Sequence, residues 1–506
     1  MGVAHPIGTH GARHVAIDLG AGSGRALIGG ADATGFHVSE VHRFHYAPRR
    51  VDGHLRWDVA GLIDGIRMGL RLAHDAAAST GAPITSVGVD SWGVDYALLD
   101  EAGRLVEEPV CYRDERTSGA MDSVFTAVPR DELFARTGIQ SLPFNTLYQL
   151  RAHVRDGLPE RARHLLLIPD FCHHELCGSI VTERTNGSTT QLLAAGTRCW
   201  DDQLFDRLSL PRGLMSDVVD AGTAIGTLRP ELCDGLGVAP AAVVAPGTHD
   251  TASAVAGTPL APGWAYISSG TWSLVGVERD APLLTAEASE AGLTNEAGVF
   301  GSVRLLTNVM GLWLLESCRR EWAAEGRGHD LTALIAAVAR VSDFAGVIFP
   351  DDQRFFAPGS MVRAIRTSLA ATGQDDVDDP VRLTKVILDS LALRYAAAVA
   401  TIERVTGRPV PGIHVVGGGS MNGYLNQATA DASGRDVLAG PVEATATGNL
   451  LVQAISAGTI GSLDDGRRLV AGAHPPGRFE PRGGARWEQP ARLFADLAAI
   501  NALGRG

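Results

Sequence analysis

A carboxylate stands among small residues at Gly247-Thr248-His249-Asp250-Thr251. The apolar run Val243–Pro246 leads into it and Ala252-Ser253-Ala254 follows, so Asp250 falls where a strand gives way to a helix, with room beside it for a substrate. Such a carboxylate can take the proton of a hydroxyl group as that oxygen attacks phosphorus. It also fits a helix N-cap, and the two roles are compatible.

Three glycine turns leave apolar strands elsewhere in the chain. The first is Ile17-Asp18-Leu19-Gly20-Ala21-Gly22-Ser23-Gly24-Arg25. Only small residues separate Leu19 from Arg25, a composition that lets successive N–H groups form an anion nest, with the Ser23 hydroxyl and the Arg25 cation beside it. Asp18 would sit near bound phosphates and repel them unless a hydrated Mg²⁺ came between. An ordinary β-turn has the same composition. The second turn is Ser268-Ser269-Gly270-Thr271, and the third is Val415-Val416-Gly417-Gly418-Gly419-Ser420 at a strand-to-helix junction. Glycine and a helix N-terminus favour close approach of a nucleotide. The spacing Gly417-x-Gly419-x-x-x-Gly423 is a loose variant of the dinucleotide fingerprint, which leaves a Rossmann turn as the rival reading. Together the turns describe a nucleotide site split over two domains, with Asp250 as the base.

Asp90-Ser91-Trp92-Gly93-Val94-Asp95 offers carboxylates and an indole at a strand end. It reads either as a sugar-binding wall or as a buried Trp beside a turn. Cys172-His173-His174-Glu175 with Cys177 has the residue types of a metal site, but on a helix these side chains diverge.

The elements that must position these groups follow from pattern. Val15–Leu19 and Ala26–Gly29 form a hairpin around the first turn, and Phe36–Tyr46 is a third strand. Asp58 caps a helix with apolar Val59, Leu62, Ile63, Ile66, Leu70 and Ala73. Ile84–Val89 is a buried strand, and Leu165–Ile168 leads into a helix near Asp170. Trp264–Ile267 and Trp272–Glu278 form a second hairpin much like the first. Val309–Trp322 reads as a helix. The strand Ile413–Val416, a helix from Ser420, a strand Asp436–Leu438 and a helix Ala446–Ala457 complete the pattern. Pro259, Pro262 and Gly263 mark the boundary. Two halves that open alike suggest duplication of one α/β unit. The expected division is an extension 1–14, domains 15–258 and 259–480, and a tail 481–506.

Composition narrows the chemistry. The chain has 506 residues, 45% of them hydrophobic and 20% charged, as expected of a two-domain globular protein. A net charge of −13 argues against nucleic-acid or anionic-membrane partners. Of the 44 lysines and arginines, one is lysine: Lys385, in an apolar helical stretch. This excludes a GxxxxGK[ST] loop and a protein-kinase VAIK lysine. Phosphate must be met by backbone amides, hydroxyls, a metal ion and arginine. The six cysteines make no CxxC pair, no apolar run reaches the ~20 residues of a membrane span, and Met1–His14 lacks the apolar core of a secretory leader. A cytoplasmic location is expected.

With these segments in place the chain resembles the FGGY carbohydrate kinase family from about Val15 to about Gly458. The resemblance rests on Asp90–Asp95, Tyr112-Arg113-Asp114, Leu142-Pro143-Phe144-Asn145-Thr146-Leu147-Tyr148-Gln149-Leu150, His249–Val255, Ser268–Leu274 and Met310-Gly311-Leu312-Trp313-Leu314-Leu315. It implies two RNase H-like (actin-like ATPase) α/β domains with a catalytic cleft between them. It implies ATP and Mg²⁺, a small sugar as the other substrate, no nucleic-acid or membrane partner, and a monomer or homodimer. The stretch Leu142–Leu150 points to the branch that phosphorylates L-rhamnulose at its 1-hydroxyl, with L-fuculose or a pentulose as the alternative. Carried over by position, Asp250 would be the proton acceptor, and Gly93, His249, Asp250, Thr251 and Asn308 would line the sugar. Ala21, Gly22, Ser23, Gly24, Arg25, Thr271, Glu316 and Gly418 would hold ATP, and Asp18 the metal. Glu316 departs from the branch, which commonly has a nucleotide-contacting glutamine there; a carboxylate cannot donate as an amide does.

Overall fold

The structure is a computed structural model and describes residues 11–32, 35–356 and 358–503. The first ten residues of the expected extension lie outside them. The chain divides into two compact units. One comprises the chain up to Pro259 with Glu278–Leu305 and Ala444–His474; the other comprises Leu260–Val277, Leu306–Glu443 and the chain from Pro475. These differ from continuous blocks at 15–258 and 259–480. The cause is packing: the apolar face of helix Ala444–Ser456, with Ala446, Leu450, Leu451 and Ala454, joins Ala16, Leu27 and Phe36 in one core cluster. The expected tail carries helix Glu488–Leu503 and belongs to the second unit.

The first unit is built on a six-stranded sheet. Its spatial order is Thr223–Thr227, Ala242–Ala245, Ile84–Ser91, Arg13–Leu19, Ser23–Asp32, Gly35–His45. Arg13–Leu19 pairs antiparallel with Ser23–Asp32 and parallel with Ile84–Ser91. Strand parity decides what each face carries. Val15, Ile17 and Leu19 join Val87 and Val89 in the core beneath helix Val59–Thr80, while Ala16 faces the other way. Asp18 and Asp90 share the parity of Ala16 and stand in register at the carboxyl ends of adjacent parallel strands. Asp58 caps the helix by accepting from Gly61 N at 3.1 Å. A second core, around Tyr96, Leu98, Tyr148, Leu165 and Trp200, supports the segment that carries Leu142–Leu150.

The sheet of the second unit repeats this plan. Ala265–Ser269 and Ser273–Arg279 form the opening hairpin, and Val303–Val309 lies on its outer side. Gly412–Val416 and Asp436–Ala439 continue in parallel, and Gly477–Phe479 closes the edge antiparallel. The hairpin and its parallel neighbours follow the order of the first sheet, but this sheet has seven strands to the other's six: Thr294–Ala297 adds an outer strand beside Val303–Val309, and the opposite edge strand enters from a different point in the chain. One reading needs correction. The helix expected from Val309 starts at Trp313, and Val309 is the last residue of strand Val303–Val309. Gly311 makes the turn, where a Cβ would fall 2.4 Å from Ser273 Oγ and 2.9 Å from Gly270 O.

Within the first unit, helix Asp250–Ala256 and helix Ala444–Ser456 meet backbone to backbone. A Cβ on Gly448 would lie 1.8 Å from Ser253 O, and one on Gly257 2.2 Å from Ala444 O. Neither contact can be relieved by a side-chain rotation. Gly448→Ala is therefore expected to destabilise the protein by about 1–3 kcal/mol and to displace the helix that starts at Asp250. Urea unfolding checks the first effect; a variant as stable as the parent would show that these helices do not meet as described.

Candidate active site

Three carboxylates converge at the strand ends of the first unit. Asp90 is fully buried, and its Oδ2 accepts from Asn449 Nδ2 at 2.5 Å. Its Oδ1 is buried without a hydrogen-bond partner among the described residues. Burial first, then the charge of Asp18, pushes the Asp90 carboxyl well above the usual carboxylate range; Asp250 adds to the rise, and Asn449 and Arg25 oppose it. Asp18 is paired with Arg25 across the hairpin. Asn449 is itself fixed, donating to Gly88 O at 3.2 Å and accepting from Gln453 Nε2 at 2.6 Å.

Asp250 is not the helix cap. His249 is the cap residue, and Asp250 is the first helical residue. Its side chain accepts from the next residue, with Thr251 Oγ1 donating to Asp250 Oδ1 at 3.0 Å and the Thr251 main chain adding a second bond. Burial, opposed by His249 and joined by Asp18, holds its carboxyl above the ordinary value.

The loop that presents Asp250 is held from beneath by Glu183, a residue the sequence pattern does not reveal. The Glu183 carboxylate is fully buried. It accepts from Thr248 N and Thr248 Oγ1, both at 2.9 Å, from Thr185 N at 2.9 Å, and from the Thr185 hydroxyl. Thr185 Oγ1 in turn accepts from His249 N at 3.2 Å. Four donors on one carboxylate stabilise a buried charge and define the backbone path into Asp250. Also missed were Glu296 and Arg304. Arg304 is buried, donates Nε to Ala297 O at 3.1 Å, and brings Nη2 to 3.0 Å from both Glu296 Oε2 and His249 Nδ1. Burial pushes the Glu296 carboxyl up, but the Arg304 guanidinium and His249 together hold it below its ordinary value.

The stretch Asp90–Asp95 ends in a buried hub. Asp95 is buried and accepts from Trp57 Nε1 at 2.6 Å, Trp92 Nε1 at 3.0 Å, Tyr112 N at 3.1 Å and Gln149 Nε2 at 2.9 Å. Burial raises its carboxyl despite these donors. The two indoles lie 4.5 Å apart between ring centroids. Val94 has a φ of 71°, a conformation that costs a β-branched residue of order 1–3 kcal/mol. Its carbonyl is gripped by Thr146 Oγ1 at 2.7 Å and Gln149 Nε2 at 3.3 Å. The stretch Leu142–Leu150 thus holds a strained turn. Gly93 packs beside Thr189, where a Cβ would fall 2.9 Å from Oγ1.

The turn Ala21–Arg25 is tied down by Gly20 N donating to Ser23 O at 2.9 Å and by the Tyr46 hydroxyl on Gly20 O. Gly22 is exposed with open space around it, whereas a Cβ on Gly24 would lie 2.3 Å from the Phe44 ring. Gly24 therefore serves packing, and Gly22 offers open backbone. In the second unit, Trp313 N donates to Thr271 O at 3.1 Å, joining the Ser-Gly-Thr turn to the helix start, and Thr271 is exposed. Gly417, with a φ of 77°, and Gly419 press on Ser269: added Cβ atoms would lie 3.0 Å from its carbonyl oxygen and 2.0 Å from its hydroxyl. Gly418 between them faces open space. Glu316 pairs with Arg319 at 2.7 Å, and Asn308 is half-buried on its strand.

His173 and His174 are engaged by backbone: His173 Nε2 accepts from Val89 N at 2.9 Å, and His174 Nε2 lies 2.9 Å from Gly103 O. Among the described residues no three His, Cys, Asp or Glu side chains gather into a metal site. Lys385 is buried on helix Pro380–Thr406, 3.1 Å from Asp389. No described helix is long and apolar enough to cross a membrane.

Family models match most of the chain: the N-terminal domain of the FGGY family of carbohydrate kinases over residues 14–257, and its C-terminal domain over 265–457. A rhamnulokinase of Pectobacterium carotovorum subsp. carotovorum is 43% identical over 498 residues, covering 97% of this chain and 98% of the relative. A rhamnulokinase of Bacillus subtilis is 37% identical over 470 residues, covering 93% and 95%. A solved xylulose kinase from Rhodospirillum rubrum, 19% identical, superposes with a TM-score of 0.78 over 97% of this chain and 98% of its own, and so shares the fold. A Plasmodium falciparum glycerol kinase with ADP, 13% identical, does so with a TM-score of 0.75 over 97% and 99%. By its motifs, its paired α/β units and its relatives, the chain belongs to the FGGY family of carbohydrate kinases.

Proposed function

We propose that the protein transfers the γ-phosphoryl group of ATP to the 1-hydroxyl of L-rhamnulose, giving L-rhamnulose 1-phosphate and ADP. The observation that carries this reading is the half-buried carboxylate of Asp250 at a helix start, within the field of Asp18 and Asp90 at the strand ends. Identity of about 40% to rhamnulokinases over nearly the full chain supports the sugar.

Asp250 accepts the hydroxyl proton as the oxygen attacks phosphorus. Gly93, His249, Thr251 and Asn308 orient the sugar. Ala21, Gly22, Ser23, Arg25, Thr271 and Gly418 take the nucleotide, with Gly22 and Gly418 supplying open backbone and Gly24 shaping the turn. Glu316, paired with Arg319, adds an acceptor where the branch commonly has an amide. The unpartnered Asp90 Oδ1 beside Asp18 fits a hard cation. Mg²⁺ would be held by Asp18, with Asp90 behind it, and would offset phosphate charge. A cation that arrives with the nucleotide and keeps water ligands is consistent with the lack of an all-protein site among the described residues. We place the enzyme in the cytoplasm, as a monomer or homodimer.

Purified protein with Mg·ATP is expected to release ADP faster with L-rhamnulose than with L-fuculose, L-ribulose, D-xylulose or glycerol. Preference for another ketose would overturn the substrate, and sugar-independent hydrolysis would overturn the kinase reading. Asp250→Asn should lower kcat about a hundred- to ten-thousandfold with ATP affinity kept; near-normal turnover would remove Asp250 from its role. Because Asp250 must be ionised and its carboxyl is raised, kcat/KM should fall on the acid side through a midpoint above the ordinary value of about 4. A limb at or below that value would contradict the assignment.

A further inference from the structure

The ring of His249 sits between two sets of charges, and the two sides differ in what they can accept. On the Nδ1 side, Arg304 Nη2 stands at 3.0 Å in hydrogen-bond geometry. Glu296 Oε2 is 3.2 Å from the same ring nitrogen and 3.0 Å from Arg304 Nη2, so Arg304 stands between the carboxylate and the ring as donor to both. On the Nε2 side, Asp250 Oδ1 is 3.5 Å away, beyond a direct hydrogen bond. The main-chain N–H of His249 is taken by Thr185 Oγ1. These are the charged and polar groups that face the residue.

A guanidinium carries donors only and stays charged. An N–H on His249 Nδ1 would therefore point at another N–H across 3.0 Å. The contact is favourable only if Nδ1 offers its lone pair, which puts the ring proton on Nε2. Arg304 cannot turn away: it is fully buried, and its Nε is fixed on Ala297 O at 3.1 Å. Glu296, 3.0 Å from Nη2, balances the charge that Arg304 brings into the core.

We propose that Arg304, backed by Glu296, is a positioning residue that fixes His249 as the Nε2–H tautomer, so that His249 donates a hydrogen bond to an oxygen of the acceptor sugar. Two neighbouring residues then have opposite roles. Asp250 accepts the proton of the attacking hydroxyl, and His249 gives a hydrogen bond to a carbonyl or hydroxyl oxygen of the same ligand. The proposal rests on the sugar-kinase reading for the identity of the acceptor, but the tautomer itself does not depend on which sugar binds.

The direct test is ¹⁵N NMR of protein labelled at histidine, without sugar or nucleotide, with the His249 signals identified by their loss in His249→Gln. Nδ1 is expected in the unprotonated range and Nε2 in the protonated range. The reverse, with Nδ1 protonated toward Glu296, overturns the proposal whether or not the ketose assignment holds. Arg304→Met should move the ring proton to Nδ1 and raise KM for the sugar about tenfold or more, with KM for ATP nearly unchanged. His249→Gln, which keeps an amide donor near the Nε2 position, should retain sugar affinity that His249→Leu loses. Equal losses in those two variants would mean that the donor is not used. Should Arg304→Met fail to fold, the wild-type spectrum still decides.

Discussion

Like charges forced together at the ends of parallel strands set the terms for this site. Register places Asp18 and Asp90 side by side, and the helix after strand Ala242–Ala245 brings Asp250 within their field. Carboxylates so arranged repel one another, and burial makes the repulsion costly. The fold answers in two ways. Arg25 crosses the hairpin to neutralise Asp18, and Asn449 reaches from helix Ala444–Ser456 to satisfy one oxygen of Asp90. What remains uncompensated is one buried oxygen, Asp90 Oδ1. A cation arriving with a polyphosphate would relieve that repulsion as proposed for Asp18 and Asp90.

The scaffold around the array is correspondingly stiff. Glu183 uses a buried charge to set the path of the Thr248–Asp250 loop, and glycine-to-glycine contact fixes the helix behind it. Val94 holds strained backbone under the grip of Thr146 and Gln149. Strain of this sort persists only where its surroundings over-determine it. Within Leu142–Leu150, Thr146 and Gln149 spend their side chains on that support, at the Val94 carbonyl and the Asp95 carboxylate.

The local chemistry was legible in the sequence wherever one segment carried all of it. The three turns, the Asp58-capped helix and the strand ends at Asp18 and Asp250 could be read from spacing alone. Asn308 was named only through the resemblance, and the helix expected from Val309 begins four residues later, at Trp313, because Gly311 makes a turn after the strand. Relationships across long separations stayed hidden. Nothing near Glu296 announces that it will meet His249, and Asn449 is separated by most of the chain from Asp90. Glycine roles were also ambiguous. Gly22 and Gly418 leave space, whereas Gly24 and Gly419 exist because Phe44 and Ser269 occupy the position of their Cβ. The interleaving of the units was invisible because helix Ala444–Ser456 has the same apolar pattern whichever sheet it covers.

The central claim is that the array directs phosphoryl transfer to one carbon of one ketose. It is tested most directly by following ATP, Mg²⁺ and L-rhamnulose with the enzyme by ³¹P–¹H correlated NMR. The account predicts a single new phosphate ester coupled to the C1 methylene protons, formed in step with ADP. Free phosphate in step with ADP, or an ester coupled to any other carbon's proton, would contradict it.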